Sequence, residues 1–385
     1  MRRAIGAVLL LLMAAACTDA EEDPPAAPSL EWTETSLSMP GGQAGRVAVR
    51  DAARCGEQWY VVGAVFAGPG ESRPAAWRSA DGQAWTALVM RPRSYWARRN
   101  VIYSVACRSG EVAMIGAKEG GAHGNPRVST WRQLADGSFE SVTAPFELYG
   151  GPHAVNVGRL VAGPPGWLIV GNRFSGAAVW TSPDARAFRL VDDDPALRRD
   201  AELDTFAVDA TYAAGGAWTV VGGAQRQGRV PRVPMAWVST DGVAWRRVKV
   251  PYDEEFAELQ RVTPIADGQL AVGVKGSRFG TWRETGGRWR SGPVFGHIDD
   301  DITAAPFVSA LAVADRLVLA SASDGRQYAL WGSPDAGAHW SMLDTPVQPE
   351  TAGEQVLIAR ISGDEVLLLA DDAKSGRVWQ AAVPG

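Results

Sequence analysis

Seven basic residues recur along this 385-residue chain at intervals of roughly fifty: Arg73, Arg127, Arg173, Arg232, Arg278, Arg326 and Lys374. Guanidinium groups brought together bind carboxylates or phosphates through paired N–H donors, so a broken ring of them would form an anion-recognising mouth. Tyr95, Trp96, Arg98, Arg99, Phe146, Tyr149, Tyr252 and Phe295 lie in nearby connections, and aromatic and arginine side chains are the ones that anchor interfaces. The same connections carry Asp253, Glu254 and Glu255. The plainer expectation is that these charges neutralise one another in surface salt bridges. The sharper one is a polar funnel for an anionic glycan, a peptide or a partner protein.

Other chemistries find little support. His123, His153, His297 and His339 stand alone, without zinc spacing, and neither a nucleophile elbow nor a phosphate-cradling glycine loop occurs. The runs Asp192–Asp194 and Asp299–Asp301 offer oxygen ligands for calcium, but without the spacing of a calcium loop they read as solvated turns. No metal and no cofactor is expected.

For residues so far apart in the chain to meet, a repeated element must carry them. Four segments repeat one pattern: Ser79–Trp85 (SADGQAW), Ser182–Phe188 (SPDARAF), Ser239–Trp245 (STDGVAW) and Ser333–Trp340 (SPDAGAHW). Each begins two residues after a tryptophan, and fainter copies follow Trp131 and Trp282. With Trp379 the tryptophans stand at 77, 131, 180, 237, 282, 331 and 379, a period of 45 to 57 residues. Upstream of each lies a β-rich run ending near a small residue, such as Gln58–Gly63, Glu111–Gly116, Gly166–Gly171 and Ala217–Gly222, and before that a further short apolar strand such as Val47–Val49. The Asp-Gly pair makes a hairpin turn, and the tryptophan that follows is expected to bury its ring against the next sheet. Seven four-stranded antiparallel units at this period give an all-β fold, a seven-bladed β-propeller. Residues 29–37 read as the fourth strand of the last blade, closing the ring. Loops between second and third strands, and those between blades, then share one face. Cys55 and Cys107 end the first strands of blades 1 and 2, where equivalent positions stand about 7 Å apart, near the upper limit for a disulfide. They are either a staple, which an exported protein favours, or two buried thiols.

At the four repeated turns the chain resembles the Asp-box (BNR) repeat family of sialidase-like propellers, through Ser79, Asp81, Gly82 and Trp85; Ser182 and Asp184; Ser239, Asp241, Gly242 and Trp245; and Ser333, Asp335, Gly337 and Trp340. The resemblance implies that these boxes join third to fourth strands, away from the usual binding face, and are structural. It also brings sialidases into view, with an F/Y-R-I-P motif in the first blade, three arginines on the substrate carboxylate, a tyrosine nucleophile paired with glutamate, and six blades. Here blade 1 offers only Arg46-Val-Ala-Val, and the related strings Arg229-Val-Pro231 and Arg232-Val-Pro234 fall in the fourth unit. A non-catalytic binding scaffold is the reading, a sialidase-like glycoside hydrolase the alternative.

The first residues carry Arg2 and Arg3, an apolar run from Ala4 to Met13 and Ala14–Ala16 before Cys17. This pattern reads as an export signal over 1–16 and resembles the lipobox of bacterial lipoproteins, with Ala14 in place of the usual leucine. Cys17 would carry the lipid, 17–28 would be an acidic, proline-rich tether, and 29–385 a single propeller. The protein is then expected outside the cytoplasm, anchored to a cell or outer membrane and monomeric. Loss of Arg2 and Arg3 takes the formal charge from -5 to -7, which disfavours nucleic acid as a partner.

Overall fold

The computed structural model describes residues 25–42, 44–68, 70–120, 126–253 and 256–384. The expected signal segment, Cys17 and most of the tether lie outside the described residues, as do His123, Glu254 and Glu255.

Seven small sheets follow one another around a closed ring, each with a core of consecutive antiparallel strands. The first strand of every blade packs beside the first strand of the next, and that of the seventh (Val356–Ser362) reaches back to that of the first (Arg46–Cys55). Thr33–Thr35 supplies the outer strand of blade 7, with Thr33 opposite Gln380 and Thr35 opposite Val378. The expected closure therefore holds, over a shorter strand than 29–37. Blade 2 departs from the four-stranded expectation. Met90–Arg91 runs parallel to its outer strand Phe139–Ser141 as a fifth member, because the chain leaving blade 1 passes along that edge and occupies its open backbone groups.

All seven marker tryptophans lie in third strands. Trp77, Trp131, Trp180, Trp237 and Trp282 are fully buried. Four of these indoles donate to a carbonyl of a blade-connecting loop: Trp77 to Ser38 at 2.7 Å, Trp180 to Leu148 at 2.7 Å, Trp237 to Ala196 at 2.8 Å and Trp282 to Pro251 at 2.9 Å. One side chain thus fills the core between sheets and ties down the loop above it.

The second strands are apolar without alternation, for instance Val61 and Val62 or Leu168, Ile169 and Val170, all buried. Both faces of each blade are covered by neighbours, so no face is left for polar residues. The small residue ending each run has its own cause. The first strand bulges opposite it in blades 1 to 6 and presses a carbonyl onto it. A Cβ on Gly63 would stand 1.8 Å from the oxygen of Ala48, and on Gly222 1.9 Å from that of Phe206.

The repeated turns are built by their aspartates. Asp81 Oδ1 accepts the Ser79 hydroxyl at 2.8 Å and the amides of Gln83 and Ala84, each at 2.9 Å, while Gly82 takes φ 70°. Asp241 and Asp335 repeat the arrangement. In the Asp184 turn an alanine, Ala185, occupies the left-handed position at φ 56°. One expectation is corrected: the box tryptophans pack on the preceding sheet, not the next. Trp85 joins a core with Leu367 and Leu369 of blade 7, and its indole donates to Thr35, while Trp245 joins blade 3 residues Val179 and Val191. Sheet twist swings the outer turn of each blade back over the one before it.

Candidate functional site

The bulges determine what faces the central channel. A bulge re-aims the side chains around the extra residue, and the residue following it is Asp51 in blade 1, Ser104 in blade 2, Arg159 in blade 3, Asp209 in blade 4 and Arg261 in blade 5. These groups latch each blade to the next. Asp51 accepts the Val105 amide at 3.1 Å, Ser104 the Leu160 amide at 3.1 Å, Asp209 the Val262 amide at 3.1 Å, and Gln260 the Val308 amide at 2.8 Å. Arg159 pairs with Asp209 at 3.1 Å, and Ser309 donates to the Leu357 carbonyl at 2.6 Å. Arg360 closes the circle on blade 1 by donating to Asp51 at 2.5 Å and to the Ala52 carbonyl at 3.1 Å.

The channel therefore holds two carboxylates and three guanidinium groups, none of which the sequence analysis singled out. Burial, together with the like charges of Arg159 and Arg360, pushes Arg261 down to about 10. Burial likewise pulls Arg360 below its usual range, while Asp51 opposes it. Asp51 and Asp209 are almost fully buried. Asp51 has both oxygens committed to N–H donors, and Asp209 accepts an amide while facing Arg159. Tyr103, at the mouth, is equally committed. It donates to the Val157 carbonyl at 2.9 Å, and burial raises its phenol well above the usual value. Among the described residues no tyrosine hydroxyl is hydrogen-bonded to a glutamate.

Of the cavities that open on the face carrying the blade-connecting loops, two adjoin each other near blades 1 to 3. One, of about 440 Å³, lies at the channel mouth among Arg50, Tyr103, Lys118, Glu119, Asn156 and Glu354. Arg50 is not free there: with Arg46 it grips the buried Asp371 and reaches Glu354. The second, of about 430 Å³, lies between blades 2 and 3 among Arg93, Trp96, Arg127, Thr143, Phe146 and Tyr149. It shares Pro126, Val128 and Tyr149 with the first. Arg127 lies over the Phe146 ring at 4.2 Å and the Trp96 ring at 5.5 Å, and Arg99 lies over Tyr95 at 4.1 Å.

The seven basic residues flagged in the sequence do not form one ring. Arg173 ends the second strand of blade 3 and does not begin the third. It is buried and donates to the Gly150 carbonyl at 2.8 Å, because the turn that follows is only two residues long. Arg232 is paired with Glu258 and lies over Phe206, and Arg326 is paired with Asp301. Arg278 donates to the Gly296 carbonyl, and Arg73 and Lys374 stand at their turns without an ion pair among the described residues. Of the aromatics, Phe295 is a strand residue stacked on Trp340 in the core, not a loop anchor. Tyr95, Trp96, Phe146 and Arg127 do come together. The acidic runs fall in loops, and among the described residues no group of three His, Cys, Asp or Glu converges as a metal site. Cys55 and Cys107 are joined as a disulfide, their Cα atoms 5.3 Å apart.

No family model matches the chain, and no curated protein is similar to it in sequence. Some solved structures are similar to it. A protein from Lactobacillus plantarum superposes with a TM-score of 0.50 at 14% identity, over 85% of this chain and 97% of that one. A Trypanosoma rangeli sialidase in complex with the inhibitor DANA gives a TM-score of 0.47 at 9% identity, with 92% of this chain covering 60% of the sialidase. Sucrose-6-phosphate hydrolase from Lactobacillus gasseri gives 0.39 at 9% identity, over 87% of this chain and 91% of that one. At these identities the likeness is one of fold, and chemistry has to be argued from this chain's own side chains.

Proposed function

We propose that this protein is an exported, lipid-anchored propeller that binds a protein or glycan partner through its loop face and catalyses no reaction. The observation that carries this reading is the contrast between channel and rim. In the channel Asp51 and Asp209 serve as inter-blade latches: Asp51 accepts the Val105 amide and the Arg360 guanidinium, and Asp209 accepts the Val262 amide and faces Arg159 as an ion pair. Most glycoside hydrolases need a pair of carboxylates able to exchange protons with substrate or water, and a sialidase-like one a tyrosine paired with a glutamate. Carboxylates consumed in holding the ring together do not serve the first, and among the described residues no tyrosine hydroxyl is hydrogen-bonded to a glutamate for the second. At the rim, by contrast, Arg127 and exposed rings of Tyr95 and Phe146 remain open to a ligand.

The lipid anchor rests on Arg2, Arg3, the apolar run and Cys17. Fractionation of cells tests it: the native protein is expected in the membrane fraction and a Cys17→Ser variant in the soluble one. The binding reading is tested on that soluble variant with fluorogenic sialosides and related glycosides, where no turnover is expected. Turnover by the folded protein, abolished by Asp51→Asn, would sink it.

A further inference from the structure

The charges that line the central channel do not balance. Three guanidinium groups, Arg159, Arg261 and Arg360, face two carboxylates, Asp51 and Asp209, and the corresponding positions in blades 2 and 6 are Ser104 and Ala310. Each carboxylate is taken, Asp51 by Arg360 and Asp209 by Arg159. Arg261 is left without an ion pair among the described residues. It donates Nε to the Ser309 carbonyl at 3.0 Å and one terminal nitrogen to the Gln260 carbonyl at 2.5 Å, and such dipoles hold a guanidinium without cancelling its charge. The acid of its own strand, Glu258, is paired with Arg232, and Asp371 at the mouth is held by Arg46 and Arg50. The titration of Arg261 agrees: burial and the like charges of Arg159 and Arg360 outweigh the pull of the two aspartates.

The unused donors can be reached. Arg159 keeps 24% of its side chain exposed, and Arg261 is only partly buried. Arg159 approaches Asp209 through Nε, so its two terminal nitrogens find no acceptor among the described residues, and the second terminal nitrogen of Arg261 is likewise unused. We infer that one small monovalent inorganic anion, chloride in ordinary solution, binds in the channel between Arg159 and Arg261. One excess positive charge calls for one negative charge, since a charge left uncompensated inside a protein destabilises it. Size follows from the surroundings. Asp51 and Asp209 are fastened to the next blade through the Val105 and Val262 amides, so a bulky organic acid would have to displace the latches, whereas a monatomic ion does not. The guanidinium groups come from blades 3 and 5, which meet only in the closed ring. The anion therefore binds the folded state and not the unfolded chain, and stabilises the ring by mass action. The site lies within the ring and is independent of what the loop face binds.

The test uses the Cys17→Ser protein at constant ionic strength, with chloride or bromide exchanged for gluconate. Melting temperature is expected to rise by roughly 1–3 °C for each tenfold increase in halide above its dissociation constant. Arg261→Met, which removes the charge and keeps the length, should lose this dependence, and Arg288→Ala, exposed on the outer strand of blade 5, should keep it. Crystals grown in bromide are expected to show an anomalous peak between the Arg159 and Arg261 guanidinium groups. Stabilisation by gluconate equal to that by halide overturns the inference, as does an unchanged halide dependence in Arg261→Met. Bromide peaks confined to the surface also overturn it, by showing an adventitious ion only. If Arg261→Met does not fold, the bromide peak in the parent decides. None of these failures touches the loop-face reading, which is tested on other residues.

Discussion

Asp81 does the work of a turn through three hydrogen bonds. The amides of Ala84 and Gln83, then the Ser79 hydroxyl, hold its carboxylate at about 2, below the usual 3.8. A carboxyl depressed in the folded state stabilises the fold above its unfolded value, and that contribution is lost as pH falls through the folded one. Melting temperature is therefore expected to fall between pH 4 and pH 2, with Asp241 and Asp335 adding to the effect: the amides of Val243 and Ala244 and the Ser239 hydroxyl lower Asp241, and the His339 side chain and amide, then the Ser333 hydroxyl, lower Asp335 against its burial. An Asp81→Asn variant should be less stable at pH 6 and show a shallower fall over that window. Parallel pH profiles for the two proteins would show that the carboxylate is not what holds the turn.

At the scale of the strand, the bulge and its glycine form one device. Gly63 is small because the carbonyl of Ala48 occupies the space of a side chain, and that inward carbonyl accompanies the turn of Asp51 toward its neighbour. Gly63→Ala should force the bulge out, at an overpacking cost of about 1–3 kcal/mol. Gly215→Ala, with nothing within 4 Å of the new Cβ, should be within about 0.5 kcal/mol of the parent. Urea unfolding compares them, and equal midpoints would refute the coupling. The same device explains what can be read in advance. Tryptophans, Asp-Gly turns and strand-ending glycines repeat because each blade solves the same local problem, so blade number and ring closure are visible in the sequence. The channel charges are not, because Asp51, Arg159, Asp209, Arg261 and Arg360 lie in first strands roughly fifty to a hundred residues apart with no shared motif around them, and only the closed ring brings them together. Arg127, Tyr95 and Trp96 were legible as candidates by type. That Arg127 meets the rings of Phe146 and Trp96, while Arg232 and Arg326 meet acids, depends on loop paths that carry no periodic signal.

A ring assembled from one chain is only as strong as its seam. Between blades 1 and 2 the Cys55–Cys107 bond spans 52 residues, and replacing both by alanine should cost about 2–4 kcal/mol by loop entropy, seen as a lower melting point that reductant no longer changes. The seam between blade 7 and the start of the chain has no such bond. Its backbone pairing is the three residues Thr33–Thr35, and carboxylates on blade 7 carry much of the remainder. Asp371, fully buried, accepts Arg46 at 2.8 Å and Arg50 at 2.5 Å, and Glu365 accepts Arg54 at 2.9 Å and the Trp59 indole at 2.8 Å. Removing Asp371 would leave two partly buried guanidinium groups facing each other with only the half-exposed Glu354 between them, and breaking a buried ion pair from one side costs about 3–5 kcal/mol. Asp371→Ala is thus expected to lower the urea midpoint by more than the double cysteine replacement. Because blades in a closed ring depend on their neighbours, the transition should stay single and keep its slope. A separate early transition would instead mean that blade 7 can detach while the other six persist, and a loss below about 1 kcal/mol would place the seam's strength in the strand pairing alone.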